Sequence, residues 1–551
     1  MLERFFESYY RLRPVNATFT GVHEHDHRLP DWSPEGLEAA VDEMGACRAS
    51  LAGGDGSGVA VFADVQVRDR ALARAFLDIQ LAEHECGHFQ RGNPSLAIGE
   101  AAFGVISLMT RPFASIDARA DAATSRLSAV PQFLTGARKS MSAAVPSEWR
   151  ARALRECTGA DRLCETGIRK WIAAERIDPA RADRLLAAAR VARTAFLDFR
   201  SWLERDVPST DTDGYAAGRG LFDLLLKTGH WCDRTRADLA AEVESSLDEA
   251  LARLDEHART AAAGGWSAVQ QRLEDAHPTV DDYLPAFHRA WDECRACAES
   301  SDLVTWPTYP IRYVPIPQCT RDAAPWLYYL FYRSPAPFDS LPVHEYVVTP
   351  IDPDLPHDEQ QRRLRASSIS VIKLNHVVHH GGIGHHVQNY YAYQGESAIG
   401  RIAAVDCANR IGMFAGGTMA EGWACYATDL MEEAGFFTPD ERLAQQHTRA
   451  RLLARAVVDI RLHERSLTFD EATAVYRDRI GMTDQAARAE VCKNSMFPGT
   501  ALMYWLGTDS MHRLRRERER AEGARFSLRR FHDHVLSYGS IPVPMIAQLM
   551  S

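Results

Sequence analysis

Asn375-His-Val-Val-His-His-Gly-Gly-Ile-Gly-His-His-Val-Gln388 is the stretch around which this chain is organised. It holds five of the 21 histidines of the chain between positions 376 and 386, and three glycines interrupt them. Imidazole is the commonest neutral metal ligand in proteins, and clustered histidines with a carboxylate are typical of metal sites. The stretch therefore predicts a metal site rather than a set of helix-capping, hydrogen-bonding histidines.

The spacing of the histidines leaves two ligand sets open. On a regular helix His376 and His380 are i and i+4, so they share one face and can bind one metal ion. His379 and His386 would lie about 10.5 Å apart along the axis, which is too far for two bonds of about 2 Å. The three glycines allow the helix to break, which would fold His385 or His386 back toward His379.

The carboxylate for this site is predicted from a second block downstream. Glu421 begins the segment Glu421-Gly-Trp-Ala-Cys-Tyr426, on a helix that follows Ala415-Gly-Gly417 and ends at Gly435. A glutamate on its own helix, downstream of paired histidines, can complete a set of three protein ligands. The alternative is a first-turn glutamate that complements the helix dipole. Beside the histidines we favour the ligand.

A literal H-E-x-x-H motif lies elsewhere in the chain, at His84-Glu-Cys-Gly-His88. Histidines at i and i+4 share a helix face, and the glutamate between them can act as a general base at a metal. However, Gly87 weakens the helix where it should be rigid, and no helix with a clear third ligand follows closely. We therefore expect the metal site in the downstream stretch.

Composition indicates a globular protein without a nucleic-acid partner. The chain has 551 residues, of which 46% are hydrophobic and 25% are charged, so a large core is expected. Its net charge is −11 and no segment is basic, which argues against nucleic acid. The N-terminal residues lack the apolar run of a signal peptide, and no run is long enough to span a membrane.

The cysteines indicate a reducing compartment. Most of the 11 cysteines are isolated in the sequence, which fits reduced thiols. We therefore expect a cytoplasmic protein. We also expect a small-molecule substrate and no membrane partner. The oligomeric state is not predicted by any of these features.

The hydrophobic pattern predicts a mainly α-helical fold. Helical periodicity runs through residues 1–300 and 365–551. Residues 303–350 differ, because prolines at 307, 310, 315, 317, 335, 337 and 342 separate Tyr-, Val- and Ile-rich runs that are typical of short strands. No linker divides the chain. We expect one domain over residues 1–551, a large helical body in which a small β-sheet lines a deep central cleft.

Several co-linear motifs resemble the bacterial family catalogued as domain of unknown function 885. The hallmark H-E-x-x-P-G-H-H-x-Q of that family falls on residues 379–388, and its E-G-W-A block falls on residues 421–424. A block R-x-x-x-D-x-x-x-H falls on Arg455, Asp459 and His463. An N-terminal block matches residues 14–26, and C-terminal blocks match residues 498–542. Members resemble zincin-type metallopeptidases.

The resemblance implies roles for particular residues of this chain. The implied metal ligands are His379, His385, His386 and Glu421, with His380 as a further candidate. The candidate catalytic residues are His380, Asp459, His463 and Glu490.

The chain departs from the family pattern at the presumed catalytic base. His380 stands where the family has its motif glutamate, and Ile383 replaces the proline. An Arg-Tyr pair of the family appears as Lys493-Asn494, and Thr500 replaces a glutamine. Because the ligand positions persist while the base is lost, the comparison implies altered chemistry at a retained metal.

These features predict a metal-dependent enzyme that has moved away from peptide hydrolysis. We expect one divalent transition metal, zinc or iron, and lyase, hydrolase or oxidative chemistry on a small, amino-acid-derived substrate. His380 would act as a fourth ligand or as a general base. One alternative is a metallopeptidase of the family type, with His380, Glu396 or Glu490 as its base. Another is a catalytically inactive scaffold that binds a metal or a peptide.

Overall fold

The computed structural model describes residues 2–51, 62–88, 91–210, 213–327, 332–333, 336–339, 344–405 and 410–551. Within these ranges most residues lie in α-helices, and strands are confined to short segments. The prediction of a mainly α-helical fold is confirmed.

The helices fall into two series, one before the strand-rich region and one beginning within it. The first series is α1 (Leu2–Leu12), α2 (Pro14–Thr20), α3 (Pro34–Ser50), α4 (Val65–Cys86), α5 (Pro94–Thr110), α6 (Ile116–Ser140), α7 (Ser147–Arg162), α8 (Ile168–Glu175), α9 (Pro179–Arg205), α10 (Arg219–Leu224), α11 (Arg236–Ala261), α12 (Gly265–Asp275) and α13 (Tyr283–Ser300). The second series is α14 (Gln318–Arg321), α15 (His357–Ala366), α16 (Ile369–Val371), α17 (His385–Gln394), α18 (Ala398–Ala403), α19 (Gly417–Glu433), α20 (Pro439–His463), α21 (Phe469–Ala474), α22 (Asp484–Met496), α23 (Leu502–Glu522), α24 (Leu528–Ser537) and α25 (Val543–Leu549).

Some helices are extended by wider or tighter turns. The π-helical segments are Leu163–Gly167, Leu225–Gly229, Ile372–Gly381, Gly412–Gly416 and Val475–Arg479. The 3₁₀ segments are Asp213–Tyr215 and Gly523–Arg525. Because π-helical turns often accompany functional sites, the ten-residue segment Ile372–Gly381 is of particular interest.

Local sequence signals explain where the long helices begin. α20 starts with a capping box, in which the Thr438 side chain accepts a hydrogen bond from the Glu441 backbone while the Glu441 side chain accepts one from the Thr438 backbone. Pro439 occupies the first turn, where its missing N–H group costs nothing. α3 begins with a simpler cap, in which the Ser33 side chain accepts a hydrogen bond from the Gly36 N–H, and Pro34 follows.

Two small sheets interrupt the helices. β1 (Val145–Pro146) pairs in parallel with β2 (Ser209–Thr210). In the second sheet β5 (His344–Val348) is central, parallel to β3 (Ile311–Pro315) and antiparallel to β4 (Tyr332–Arg333). The strands expected in residues 303–350 are therefore present, while prolines 335 and 342 lie outside the described residues. Tyr313 and Tyr346 stand opposite each other in the register and belong to the largest core cluster.

The core sits in three large clusters of buried side chains. One joins the second sheet to α13, α19 and the Ile372–Gly381 segment, a second fills the space among α5, α6, α7 and α9, and a third lies among α11, α20 and α22. Buried hydrogen bonds tie the N-terminal helices to the C-terminal ones: Trp149 Nε1 donates to Ser495 Oγ at 2.8 Å, and Ala398 N donates to Asp69 Oδ2 at 2.8 Å. The single-domain organisation stays a prediction.

Candidate metal centre

A turn of three glycines brings the histidine cluster together. The π-helical segment ends at Gly381, and the Gly384 N–H donates to the Val378 carbonyl at 2.9 Å, so that the chain doubles back before α17 begins at His385. A Cβ atom at Gly384 would lie only 1.9 Å from the carbonyl oxygen of His379. Only glycine fits this approach, which is why His385 can return to the side of His379.

Two tryptophans hold the glycine turn in place. Trp423 Nε1, on α19, donates a hydrogen bond of 2.8 Å to the carbonyl oxygen of Ile383. Trp291 Nε1, on α13, donates one of 2.8 Å to the carbonyl oxygen of Gly381. Because Trp423 lies two residues after Glu421 on the same helix, the turn and the glutamate are positioned by one element.

Three imidazoles and one carboxylate converge at this turn. His379, His380 and His385 each offer a ring nitrogen, and these nitrogens all lie within 4.8 Å of one another. The Oε2 atom of Glu421 lies 3.3 Å from His379 Nε2 and 3.4 Å from His385 Nε2. The chain therefore folds back at the glycines, as expected. Of the two ligand sets that the sequence left open, the structure brings together the one that contains His379 and His385.

The orientation of His380 is set by the backbone. Its Nδ1 lies 2.6 Å from the carbonyl oxygen of Asn375, so Nδ1 carries the proton and donates it. The lone pair is then on Nε2, the nitrogen left for a metal or a substrate. The Nδ1 of His379 lies 4.0 Å from Cys425 Sγ, which places a buried thiol on the far side of that ring.

The charge state of the cluster fits a bound cation. Burial raises the pKa of Glu421, but His385 and His379 hold it well below its usual value, so the carboxylate is an anion. Burial lowers the pKa of His379 and takes that of His380 well below its usual value. Glu421 Oε2 is buried and accepts no hydrogen bond from the described residues. An anionic oxygen buried beside the ring nitrogens of two imidazoles fits a divalent transition metal.

Two other histidines of the stretch are turned away from this group. His386 is fully buried, and its Nδ1 and Nε2 contact His344 Nδ1 at 2.9 Å and the Tyr309 carbonyl oxygen at 3.0 Å. His376 Nδ1 contacts the hydroxyl of Tyr346 at 2.6 Å. The structure therefore corrects the candidacy of His386 as a ligand, because neighbouring residues on a helix point about 100° apart and only His385 faces Glu421.

Asp459 and His463 lie apart from the metal cluster and act on the backbone. His463 Nδ1 accepts from the Ala217 N–H at 3.1 Å, and its Nε2 lies 3.0 Å from the Asn494 carbonyl oxygen. Asp459 accepts the N–H groups of Gly499 and Leu502 at 3.0 and 2.8 Å. Both side chains are completely buried, and these backbone contacts argue against the catalytic roles expected for them: Asp459 holds the loop before α23, and His463 links the segment at Ala217 to α22.

Glu490 also lies outside the cluster, and its charge is neutralised by Arg455. Arg455 Nε donates to Glu490 Oε1 at 2.5 Å. Burial raises the pKa of Glu490, but Arg455, Lys493 and Arg451 lower it to about 2. A carboxylate with so low a pKa is a poor general base near neutral pH, so this pairing argues against the catalytic role expected for Glu490. The other candidate base, Glu396, is exposed.

The upstream H-E-x-x-H motif does not form a metal site. α4 ends at Cys86, and Gly87 adopts a left-handed conformation with a φ of 67°, so His88 lies beyond the helix. The Nε2 of His88 contacts the carbonyl oxygen of Tyr215 at 3.3 Å. Among the described residues, the group of metal-binding side chains is the one at His379, His380 and His385.

A cavity of about 410 Å³ was not anticipated from the sequence. It lies among α1–α5 and the helices α20, α22 and α23, and its walls are mainly apolar. Arg455, Glu490 and Lys493 form part of its lining. The sequence signalled Arg455 only as the first residue of a family block, because the cavity forms from segments that are far apart in the chain.

Residues 14–550 match the family described as bacterial protein of unknown function (DUF885). The chain belongs to this family. No curated protein matches this member of DUF885. It is similar in structure to a "putative lipoprotein of unknown function" from Shewanella oneidensis, with a TM-score of 0.77 and 20% identity over 100% of this chain and 98% of that one. A "putative lipoprotein" from Colwellia psychrerythraea gives a TM-score of 0.78 and 16% identity, with 99% and 97% of the two chains covered. These likenesses show a shared fold.

The comparisons correct one expectation about this DUF885 chain. Both structural neighbours carry the name lipoprotein, a class that is exported and held at a membrane by attached lipid. The expectation of a cytoplasmic protein is contradicted by this finding and is withdrawn. Among the helices of the described residues, none has both the length and the apolar character needed to cross a bilayer.

Proposed function

We propose that this protein is a metal-dependent enzyme with a zincin-like site, in which a histidine replaces the motif glutamate and the chemistry is not proteolytic. The observation that carries the proposal is the cluster of His379, His380 and His385, of which His379 and His385 lie beside the buried Oε2 atom of Glu421. A small, amino-acid-derived substrate remains the proposed substrate class.

His379, His385 and Glu421 would hold the metal, with His380 as a fourth ligand. The proton on His380 Nδ1 is engaged by the Asn375 carbonyl, which leaves the lone pair on Nε2 available to a metal, and a ring nitrogen of His380 lies within 4.8 Å of ring nitrogens of His379 and His385. Zinc would supply Lewis acidity at this position, and iron would add redox chemistry. A set of three imidazoles and one carboxylate suits either ion.

A low peptidase rate is expected because two groups of the family pattern are missing. They are the motif glutamate, replaced by His380, and the tyrosine of the Arg-Tyr pair, replaced by Asn494. A positioned general base contributes roughly 10²–10⁴-fold to a rate, and a donor at a developing oxyanion contributes roughly 10²–10³-fold. Losing both would raise the barrier by about 5–10 kcal/mol, which would leave no useful peptide hydrolysis. A His380 ring that binds the metal through Nε2 has no second lone pair with which to accept a proton.

We further propose that the second sheet forms one wall of a cleft that leads to the site. Tyr346 on β5 contacts His376 Nδ1, and Tyr313 on β3 donates to the His376 carbonyl at 3.2 Å, so the sheet packs directly against the Ile372–Gly381 segment. The His379 side chain keeps 15% of its surface exposed, which supports access from solvent.

The test compares the native protein with His380→Glu at matched metal content, on a panel of dipeptides and acyl-amino acids. We expect negligible peptide cleavage by the native protein. Robust metal-dependent cleavage by the native protein that falls in the Glu variant would establish the peptidase alternative. Metal binding without turnover of any substrate, under anaerobic or aerobic conditions, would favour the inactive scaffold.

A further inference from the structure

The cavity of about 410 Å³ has the dimensions and lining of a small-molecule pocket. Apolar side chains such as Val15, Phe19, Leu37, Phe103 and Phe497 contribute to its walls. Pockets of this kind take up the apolar body of a ligand and use a few polar groups to fix its orientation. A ligand of this cavity therefore needs a polar group in the lining that the protein itself does not fully use.

Arg455 is that group, because only part of its guanidinium is used by the protein. Its Nε donates to Glu490, and its guanidinium lies 5.2 Å from the centre of the Tyr504 ring. Within the described part of the chain, its two terminal nitrogens make no hydrogen bond, and its side chain is 14% exposed. A guanidinium held at Nε and free at both terminal nitrogens offers the paired donors that a carboxylate accepts.

The charges around Arg455 also favour an anion. Arg451, one helical turn earlier on α20, and Lys493 on α22 both act on Glu490 together with Arg455. Arg455 and Lys493 line the cavity beside Glu490, and Arg451 lies on the same helix as Arg455, so cations outnumber the carboxylate at this end of the cavity. An anionic ligand would be attracted to this position, whereas an amine would be repelled.

The cavity shares a boundary with the metal centre. Met503 provides this boundary, because it lines the cavity and also packs against the helix that carries Glu421. Met503 packs so closely on Gly417 that a Cβ atom there would lie 2.5 Å from its sulfur. Gly417 is one helical turn before Glu421 on α19.

We propose that Arg455 binds a carboxylate of the substrate, and that the apolar body of the substrate occupies the cavity beside the metal centre. The substrate class is then a small apolar carboxylic acid, such as an N-acyl amino acid with an apolar side chain. This inference rests on the proposed function for its link to catalysis, but the binding itself requires no metal.

The experiment measures binding of two matched probes, 4-phenylbutyrate and the neutral 4-phenylbutanamide, by isothermal titration calorimetry. The full chain is used both metal-loaded and metal-stripped, because a carboxylate could also bind a metal. We expect the acid to bind at least about tenfold more tightly than the amide in both forms. If the protein proves to need no metal, the metal-stripped protein should still bind the acid more tightly than the amide.

Arg455→Lys keeps the charge and removes the paired donors, so the preference for the acid should fall by about tenfold. Arg449→Lys is the matched control, since Arg449 lies on the same helix but binds Asp429 and Glu432 outside the cavity. If Arg455→Lys does not fold, Arg455→Met serves instead, because Arg451 and Lys493 remain to compensate the charge of Glu490.

Three results would overturn the proposal. One is equal binding of the acid and the amide. Another is a preference that disappears when the metal is removed, which would assign the carboxylate to the metal. The third is the absence of binding by either probe.

Discussion

The indole nitrogen of Trp423 donates a hydrogen bond of 2.8 Å to the carbonyl oxygen of Ile383, and this bond joins the helix of Glu421 to the turn of His385. Both residues are completely buried. The bond therefore holds the helix of the carboxylate against the histidine turn, and a metal site of fixed geometry requires such support.

Trp423→Phe tests this coupling. The substitution leaves the buried Ile383 carbonyl without its donor, which should cost about 1–3 kcal/mol of unfolding free energy. Metal affinity should fall as well, by roughly tenfold, because the turn loses its anchor. Trp149→Phe is the control: it removes a similar buried hydrogen bond to Ser495 and should lower stability without lowering metal affinity. Equal loss of metal affinity in both variants would argue against the coupling.

Gly384→Ala tests the close approach of the turn to His379. The added Cβ atom would lie 1.9 Å from a backbone oxygen, so the turn must shift. We expect a loss of about 2–3 kcal/mol in unfolding free energy together with a large loss of metal binding. In Gly45→Ala, by contrast, the new Cβ atom meets nothing within 4 Å on α3, and stability should rise by about 0.5–1 kcal/mol. Denaturant unfolding of both variants provides the measurement.

Glu421→Gln should lower metal occupancy by at least about tenfold, because an amide is a far weaker ligand than an anionic carboxylate. His84→Ala, which alters the upstream motif, should leave occupancy unchanged. Elemental analysis after dialysis against a weak chelator distinguishes the two variants. Loss of metal in His84→Ala but not in Glu421→Gln would move the metal site to the 84–88 segment.

A pH-dependent contribution to stability is expected at His23, far from the metal cluster in the sequence. Burial lowers the pKa of His23, but Asp26 and Asp339, at 2.9 and 2.8 Å, outweigh it and raise the pKa to about 9. Because the folded-state pKa lies above the unfolded value of about 6.5, the contribution is complete below pH ~6.5 and disappears as pH rises through ~9.

His23→Gln measures that contribution. The side chain is partly exposed, so we expect the variant to be less stable than the native protein by about 1 kcal/mol at pH 6. The difference should vanish near pH 10. A difference that grows with pH would show that the sign is wrong. Chemical unfolding at several pH values, with both proteins in the same buffers, provides the curves.

Helical periodicity was sufficient to predict the class of fold, and the prolines around Tyr313 and Tyr346 marked the sheet. The order of its strands was not predictable. β5 pairs in parallel with β3 and antiparallel with β4, and this depends on how the chain crosses between them rather than on residue pattern. The π-helical Ile372–Gly381 segment was not predicted either, because π-helical turns are rare and occur as insertions within α-helices.

At the site, the glycines predicted a fold-back but could not choose between His385 and His386. That choice follows from which ring faces Glu421, and it is made by tertiary contacts of His386 with His344 and Tyr309. Arg455 was noticed only as a family residue, because its free terminal nitrogens become meaningful only when a cavity is seen beside them.

Metal stoichiometry of the protein, purified without a histidine tag, tests the central claim most directly. The cluster of His379, His380 and His385, with Glu421 beside His379 and His385, predicts about one tightly bound zinc or iron ion per chain, either as purified or after the apoprotein is supplied with the metal. Protein that remains metal-free after incubation with zinc and with ferrous iron would contradict the account.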